Sequence, residues 1–375
     1  MNLFGVYDMR ILVVTSRVKT YALGYQNFIE PLLELGHEIV WAADFSGFVT
    51  DRSVIPCVTE QIAINSNPLK PTNIKAFKQI CSIINNYNIQ AIQCSTPIGS
   101  ALGRIAGKKM GVTPVIYTAH GFLFFKGAPL INRTIFYWEE KWLARYTDVL
   151  ITIIDEDYEA SQTLKLRSGR KPYMIHGAGI NTGTRVDVDR VAKRASIGIP
   201  ESAFLIVSAG DLNKNKNTEV MVRALERVND PSVHYIAGGV GPEKQKLEKL
   251  ANSLGVNNQF HLLGYRTDMA ELMAASDAFV IMSFREGLPR SLMEAMDLGL
   301  PCIGSNTRGV RDLIDMDGGY ICNPRNPDDY ASAINDLRHR DLRKMGEHNS
   351  ELVKCFSADI VRQELCNIYK QVLKD

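Results

Sequence analysis

The sequence lacks any long apolar run: none of its 375 residues falls in a stretch of eighteen or more consecutive apolar residues. A transmembrane helix needs about twenty such residues, so the sequence predicts no spanning segment. The first residues lack the basic-then-apolar pattern of a secretory signal, which predicts that the chain is not exported. No low-complexity tract and no repeat of solenoid length occurs, so a repeat architecture is excluded.

A strong excess of charge is also missing. The formal net charge is only +2, which argues against a nucleic-acid partner attracted by bulk charge. The seven cysteines are odd in number and do not follow metal-ligand spacing. We therefore expect a reduced, cytoplasmic protein whose cysteines are small buried apolar residues.

What the sequence contains is a repeated alternation of short apolar strands and helices. Continuous apolar strands between helices are typical of parallel sheets covered on both faces, and this length favours two domains. Six strands are predicted in each half: 10–16, 38–42, 91–95, 114–118, 150–154 and 173–176, then 204–208, 234–237, 260–263, 278–282, 301–304 and 319–322.

A glycine-rich segment, Gly177–Gly183, separates the two halves and is interpreted as a hinge. The predicted class is α/β, with two doubly wound Rossmann-like domains facing each other across a cleft. The boundaries are an N-terminal domain at 1–181 and a second domain at 182–355. A last helix at 356–375 is expected to return to the first domain.

One loop carries residues that are typical of a binding or catalytic site. The run from Phe284 to Gly299 carries two carboxylates, Glu286 and Glu294, around the start of a helix that follows an apolar strand. Pro289 suits the first turn of that helix, and Gly299 suits its end. The free N–H groups of a helix start attract an anion such as a diphosphate. Taken singly, each glutamate is also compatible with a solvated surface acid.

The order of several motifs along the whole chain resembles that of family-4 retaining glycosyltransferases of the two-Rossmann-domain (GT-B) type. The stretches that carry the resemblance are 117–122 (YTAHGF), 126–129 (KGAP), 237–242 (AGGVGP), 263–266 (LGYR), the Glu286/Glu294 pair, 299–303 (GLPCI) and 307–313 (TRGVRDL). The first two resemble a subgroup that builds exopolysaccharide, capsule or glycan repeat units on a polyprenyl-diphosphate carrier.

The resemblance implies a role for each matched residue. Glu286 and His120 are implied at the reacting sugar, although a lone histidine is also compatible with a structural role. Glu294 is implied at the ribose hydroxyls, and Lys216 at the diphosphate as the nucleotide leaves. The other residues implied on the donor side are Lys214, Arg285, Gly287, Leu288, Pro289, Arg290, Ser291, Tyr265, Arg266 and Gly24.

Two features leave alternatives open. The cluster Gly238-Gly239-Val240-Gly241 is compatible with a phosphate-binding loop, and equally with a tight turn between strand and helix. Asp211 occupies a place where many relatives carry an arginine, so the cationic clamp on the diphosphate depends on other basic residues.

The segment from Gly121 to Thr147 mixes aromatic and basic residues, a composition that suits the interface of an anionic membrane. The residues expected at the membrane or the acceptor are Phe122, Phe124, Phe125, Lys126 and Arg133. Trp138 and Trp142, four residues apart, are alternatively the buried stripe of a helix that packs on the sheet.

The resemblance assigns the acceptor to the domain at 1–181 and the nucleotide sugar to the domain at 182–355. The function that it implies is retaining transfer of a sugar from a nucleoside diphosphate, with UDP as the expected nucleotide, to a polyprenyl-diphosphate-linked saccharide. No metal and no other cofactor is expected. The enzyme is expected at the inner face of the cell membrane as a peripheral protein. Two other functions remain open: a UDP-sugar epimerase of the same architecture, and a non-enzymatic two-domain sugar-binding protein.

Overall fold

The computed structural model describes residues 9–18, 28–48, 55–183 and 185–374. The chain divides into two compact units. The first extends to Gly179 and resumes at Ala358, and the second comprises Ile180–Ser357. The sequence places these boundaries after residues 181 and 355.

The first unit is built on a seven-stranded parallel sheet with the strand order β3-β2-β1-β4-β5-β6-β7. Its strands are β1 Arg10–Arg17, β2 Glu38–Asp44, β3 Val58–Gln61, β4 Ala91–Ser95, β5 Val115–Ala119, β6 Val149–Thr152 and β7 Tyr173–Met174. Both faces of the central strands are buried, as their mainly apolar sequences indicate. The edge strand β3 is not predicted from sequence, because only its central residues are partly buried and the strand is polar.

Helices cover the sheet of the first unit. They are α1 Glu30–Glu34, α2 Thr72–Asn86, α3 Pro97–Met110, α4 Leu130–Leu143 and α5 Asp155–Ser161, with the final helix α14 Ala358–Val372. Helix α14 buries Val361, Leu365 and Tyr369. Its Arg362 lies 3.6 Å from Glu30 and 3.5 Å from Glu34 of α1, so the chain end returns to the first unit.

The second unit has a six-stranded parallel sheet with the order β10-β9-β8-β11-β12-β13. The strands are β8 Phe204–Ala209, β9 Val233–Gly238, β10 Phe260–Gly264, β11 Ala278–Ile281, β12 Cys302–Ser305 and β13 Gly319–Cys322. The helices are α6 Arg190–Ser196, α7 Glu219–Val228, α8 Lys244–Ser253, α9 Met269–Ala274, α10 Arg290–Asp297, α11 Arg308–Arg311, α12 Pro327–Leu337 and α13 Leu342–Leu352.

The α/β class and the two Rossmann-like domains are therefore confirmed. In both sheets the strand order reverses beside the first strand, at β1/β4 and at β8/β11. Ligands of doubly wound sheets bind beyond the carboxyl ends of the strands at such a reversal. In the described ranges, no helix combines the length and the hydrophobicity needed to span a bilayer.

Candidate active site

The loop between β11 and α10 carries the first glutamate of the predicted pair. Strand β11 is fully buried, and α10 begins at Arg290 with Pro289 as its N-terminal cap. Pro289 therefore precedes the first turn instead of lying in it. The helix ends before Gly299, which has a φ of +73°, so the expected glycine stop is confirmed.

Lys216 and Glu286 meet at the carboxyl edge of the second sheet. The Lys216 Nζ and Glu286 Oε1 atoms are 2.8 Å apart, and the glutamate side chain is only 13% exposed. The two residues are seventy positions apart in sequence, but their loops follow β8 and β11, which are neighbouring strands. The fold thus brings one predicted cation to one predicted carboxylate.

Backbone and amide hydrogen bonds fix these two loops to each other. Phe284 donates its N–H to the Asn215 carbonyl at 2.8 Å, and the Asn215 amide donates to the Arg285 carbonyl at 3.0 Å. Asn217, with a φ of 54°, donates to the Met282 carbonyl at 3.1 Å. The position of Glu286 relative to Lys216 is therefore set by the main chain on both sides.

Glycines make the close contacts behind these loops. A Cβ atom on Gly239 would lie 1.9 Å from the Gly210 carbonyl oxygen, and one on Gly241 would lie 2.2 Å from that of Leu212. The glycine cluster at 238–241 therefore packs against the loop that leads to Lys216. These close backbone contacts require glycine at both positions. They favour the tight-turn interpretation of the cluster, one of the two that the sequence leaves open.

Glu294, the second glutamate of the pair, forms an ion pair with Arg290, which lies one helix turn earlier. Arg290 Nε is 2.8 Å from Glu294 Oε1, and both side chains are more than two-fifths exposed, at 43% and 44%. They line a cavity of about 240 Å³ in the second unit. The other lining residues are Asn181, Met269, Ala270, Met273, Asp297 and Leu298. Met269 and Met273 are residues that the sequence does not single out, because methionines on a helix usually indicate core packing.

The remaining donor-side residues are more scattered. Arg266 donates to the Asp268 carboxylate at 2.7 and 2.5 Å, and this cation holds the pKa of Asp268 well below its usual range. Tyr265 is 78% exposed. Lys214 and Arg285 are exposed, and Gly287, Leu288 and Ser291 are partly buried. Gly24 lies outside the residues that the structure describes.

In the first unit, His120 follows β5 directly. Its ring makes an edge-on contact with Phe28, with ring centroids 5.6 Å apart. Burial lowers the pKa of His120 to about 4, so the imidazole is neutral at neutral pH. A neutral ring can donate or accept a hydrogen bond but carries no charge.

The phenylalanine loop differs from the prediction. Phe122 and Phe124 are only 2% and 8% exposed, and their rings stack 4.8 Å apart. The Phe122 N–H donates to Asp157 Oδ2 at 2.9 Å, which ties the loop to α5. Contact of these two rings with the membrane, one of the two expectations, is wrong, because the loop folds back into the hydrophobic core of the first unit. Contact with the acceptor, the other expectation, stays a prediction.

Three other residues of that predicted set surround a cavity of about 440 Å³ in the first unit: Phe125, Lys126 and Arg133. Its other lining residues are Phe124, Tyr137, Glu156, Glu159, Ala160 and Thr163. The Lys126 N–H donates to Glu156 Oε1 at 2.7 Å. Sequence reasoning missed Glu156 and Glu159, although the acidic run that directly follows strand β6 was a usable signal.

The exposure of the two tryptophans of α4 contradicts the alternative in which they form a buried stripe. Trp138 is 62% and Trp142 46% exposed, so these residues are not a buried core stripe.

Across 9–18, 28–48, 55–183 and 185–374, no three His, Cys, Asp or Glu side chains are grouped closely enough to hold a metal ion. Metal independence stays a prediction.

Two family models match the chain, one in each unit. The model described as Glycosyl transferases group 1 matches residues 189–352, and the one described as Glycosyltransferase Family 4 matches residues 25–170. The chain is also 32% identical to EpsD of Bacillus subtilis (strain 168), which is named as a glycosyltransferase. That match covers 95% of this chain and 94% of EpsD. The chain belongs to glycosyltransferase family 4.

Other relatives of this family-4 glycosyltransferase have more specific names. It is 26% identical to an Escherichia coli UDP-Gal:alpha-D-GlcNAc-diphosphoundecaprenol alpha-1,3-galactosyltransferase, over 70% of this chain and 71% of that protein. Its fold matches that of Anabaena HepE, solved in complex with UDP, with a TM-score of 0.77. That match covers 97% of this chain and 100% of HepE at 18% identity, and it shows the shared GT-B fold. Family membership supports a transferase over the epimerase and sugar-binding alternatives.

Proposed function

We propose that this enzyme transfers a sugar from a UDP-sugar to a saccharide linked to a polyprenyl diphosphate, with retention of anomeric configuration. The product would serve the synthesis of a cell-surface polysaccharide such as an exopolysaccharide or a capsule. The Escherichia coli relative, whose name contains both a UDP-sugar and a diphosphoundecaprenol acceptor, supports the two substrate classes.

The observation that carries this proposal is the contact between Lys216 and Glu286 at 2.8 Å. A cation and a carboxylate at the carboxyl edge of a parallel sheet suit the two ends of a sugar diphosphate. The lysine would neutralise the phosphate oxygens, and the carboxylate would accept hydrogen bonds from the sugar hydroxyls. On donor binding the ion pair would therefore open, because each partner gains a new ligand.

The start of α10 would add to the stabilisation of the leaving group. The first N–H groups of an α-helix have no partner within the helix, and this helix is eight residues long with Arg290 at its first position. Negative charge grows on the diphosphate as the bond to the anomeric carbon breaks. Donors that are already oriented toward that charge lower the barrier.

The chemical step needs no enzymic base in this proposal. The acceptor hydroxyl oxygen forms a bond to the anomeric carbon on the face from which the diphosphate departs. The bond between that carbon and the phosphate oxygen breaks, and the departing phosphate takes the hydroxyl proton. His120, which is neutral, would serve as a hydrogen-bonding group for the donor sugar and not as a cation.

We place the nucleoside at the cavity lined by Arg290 and Glu294. Glu294 lies eight residues beyond Glu286, in the helix α10 that follows the loop of Glu286, so it suits the ribose while Glu286 suits the transferred sugar. The Glu294 carboxylate would accept bonds from the ribose hydroxyls, and the methionine side chains of α9 offer an apolar wall to the base.

For the acceptor we propose the 440 Å³ cavity of the first unit. It combines the aromatic rings of Phe125 and Tyr137 with charged side chains such as Arg133 and Glu159. Aromatic faces suit the C–H face of a sugar ring, and charged groups suit its hydroxyls and a phosphate. The cavity lies at the carboxyl ends of β5 and β6, where doubly wound sheets bind ligands.

We also propose that the enzyme works at the cytoplasmic face of the membrane, because a polyprenyl carrier keeps its acceptor in the bilayer. The seven cysteines form no disulfide in the part of the chain that is described, which fits a reducing compartment.

The test is a panel of UDP- and GDP-sugars, with release of nucleotide measured with and without a polyprenyl-diphosphate-linked saccharide. We expect release from one UDP-sugar that depends on the acceptor, together with a lengthened saccharide whose linkage NMR shows as retained. Interconversion of UDP-sugars without acceptor would instead support the epimerase. Binding without turnover on any donor would support the sugar-binding protein.

A further inference from the structure

Helix α4 (Leu130–Leu143) exposes a continuous apolar stripe. Ile131, Ile135, Trp138 and Trp142 are 68%, 59%, 62% and 46% exposed. Their spacing of four, three and four residues places them on one face of an α-helix. We call these four residues the outward stripe.

The opposite side of α4 is fixed to the protein by charge. Arg104 of α3 donates to the two Glu140 carboxylate oxygens at 2.7 and 3.2 Å, and the arginine side chain is only 1% exposed. Its guanidinium also lies 4.1 Å from the centre of the Tyr117 ring. Turning the outward stripe inward would break this buried pair, so the helix is held with its apolar residues facing out.

Single exposed apolar side chains are normal on protein surfaces, whereas an adjacent set marks a surface that another structure covers. The outward stripe contains two of the three tryptophans in the chain, and the third, Trp41, is fully buried. Tryptophan is enriched where one side of a residue meets hydrocarbon and the other meets water.

The charges beside the outward stripe indicate which structure covers it. Lys141 Nζ lies 4.7 Å from the Trp138 ring centre, and Arg145 is exposed just beyond the helix end. Lys126 and Arg133 line the cavity of the first unit, so the charged residues nearest the outward stripe are the basic Lys141 and Arg145 and the acidic Glu139 and Glu140. One of the acidic residues, Glu140, is already paired with Arg104. A net positive rim suits an anionic lipid surface and would repel the same rim of a second copy.

We propose that the outward stripe of α4 lies in the interface of an anionic membrane, with the helix axis parallel to the membrane plane. This proposal rests on the proposed function, since it supplies the surface that meets the lipid-linked acceptor. The opposite side of the same helix contributes Arg133 and Tyr137 to the proposed acceptor cavity. The helix would therefore separate the bilayer from the cavity that takes the acceptor head group.

The experiment is co-sedimentation of the full chain with vesicles of phosphatidylcholine that contain either 30% or no phosphatidylglycerol. The test variant is Ile135→Ser/Trp138→Ser. The matched control is Leu69→Ser/Ile74→Ser, which removes two apolar residues that are 89% and 64% exposed elsewhere in the first unit. Circular dichroism and thermal unfolding confirm that each variant is folded.

We expect the wild type and the control to bind the anionic vesicles, with binding that weakens as salt is added. The stripe variant should bind at least tenfold more weakly, and tryptophan emission of the wild type should shift to shorter wavelength with vesicles. Equal sedimentation of the stripe variant and the wild type would overturn the proposal. So would a wild-type dimer without lipid that becomes a monomer in the stripe variant, because the stripe would then be an interface between copies.

A second readout separates this proposal from the proposed function. With a water-soluble, short-chain diphosphate-linked N-acetylglucosamine as acceptor, the stripe variant should release UDP at the wild-type rate. A wild type that binds vesicles yet releases no nucleotide from any sugar donor contradicts the proposed function and leaves the membrane surface supported.

Discussion

At the scale of single residues, the proposed donor site depends on the contact between the Glu286 carboxylate and Lys216. Glu286 is mostly buried, and its partner Lys216 is 28% exposed. A site in which a cation and an acid neutralise each other stays stable without substrate, and both groups become available when a sugar diphosphate arrives. The function of each residue is therefore tested best by removing one charge at a time.

We predict that Glu286→Gln lowers kcat by about 100-fold, the order lost when one oriented polar group is removed from an active site. The affinity for UDP, which has no transferred sugar, should be unchanged or higher, because Lys216 is no longer paired. Calorimetric titration with UDP and a steady-state transfer assay measure the two quantities. Glu248→Gln, in an exposed pair 3.8 Å from Lys244, is the control. Near-normal turnover of the Glu286 variant would contradict the proposed role.

Gly309 is a second residue that supports the loop between β11 and α10, which carries Glu286. A Cβ atom at this position would lie 1.6 Å from the Gly287 carbonyl oxygen, so the turn of α11 directly supports the loop after Glu286. We predict that Gly309→Ala raises the KM for the donor at least tenfold, since the loop has to move. Gly47→Ala, where a Cβ meets nothing within 4 Å, is the control. An unchanged donor KM would show that the loop tolerates displacement.

At the scale of elements, the packing of α4 on α3 depends on one buried ion pair. We predict that Glu140→Gln lowers the free energy of unfolding by about 3 kcal/mol, because Arg104 stays charged and loses its partner. Urea denaturation measures this, with Glu347→Gln in an exposed pair as a control expected within about 0.5 kcal/mol. The double variant Arg104→Met/Glu140→Leu should be more stable than Glu140→Gln. A double variant that is less stable would contradict this account.

A histidine pair on neighbouring strands makes the second unit sensitive to acid. His234 of β9 and His261 of β10 stack with ring centroids 5.4 Å apart and share a hydrogen bond of 3.1 Å. Burial lowers the pKa of both residues, and repulsion from His234 lowers that of His261 further. The folded state thus favours the neutral rings.

Because both folded-state pKa values lie below the unfolded value of about 6.5, the stabilisation is fully present above pH 6.5. It decreases as the pH falls below that value and through the folded-state pKa values. We predict that the free energy of unfolding decreases by up to about 1.4 kcal/mol per pH unit for each histidine in that range. His261→Gln should reduce the slope in urea titrations at pH 7, 6 and 5. An equal slope in the variant and the wild type would contradict this assignment.

At the scale of the whole molecule, the first unit includes a helix from the far end of the chain. Helix α14 buries Val361, Leu365, Ile368, Tyr369 and Val372 against it. Fully burying one such side chain contributes about 1.5–3 kcal/mol, so together these residues rival the total stability of a domain.

We predict that deletion of residues 358–375 unfolds the first unit near room temperature while the second unit keeps its thermal transition. Differential scanning calorimetry distinguishes the two units. The control is Arg362→Gln, which removes the ion pairs with α1 and with Asp359 but keeps the buried apolar side chains, and it should lower stability by less than about 1 kcal/mol. A truncated protein with two transitions at wild-type temperatures would contradict this role of the helix.

Much of the fold was predictable from sequence, and the reason is local. Strand β11 is apolar throughout because both of its faces are buried, so the sequence itself marks it. The polar edge strand β3 carries no such mark. In the candidate site, the end of α10 at Gly299 was predictable because it follows from the backbone freedom of glycine. The ion pair between Glu286 and Lys216 was not predictable from local sequence, because the two residues are seventy positions apart.

The sequence by itself determined which residues share a helix face, because the α-helical period is fixed at 3.6 residues. Once residues 130–143 form a helix, the spacing of Ile131, Ile135, Trp138 and Trp142 places these four side chains on one face, whatever the rest of the chain does. Only the tertiary structure decided that this face points outward and that Phe122 and Phe124 point inward. The physical reason is that Arg104, on another helix, needs the Glu140 carboxylate once it is buried, and this requirement fixes the rotation of the whole helix.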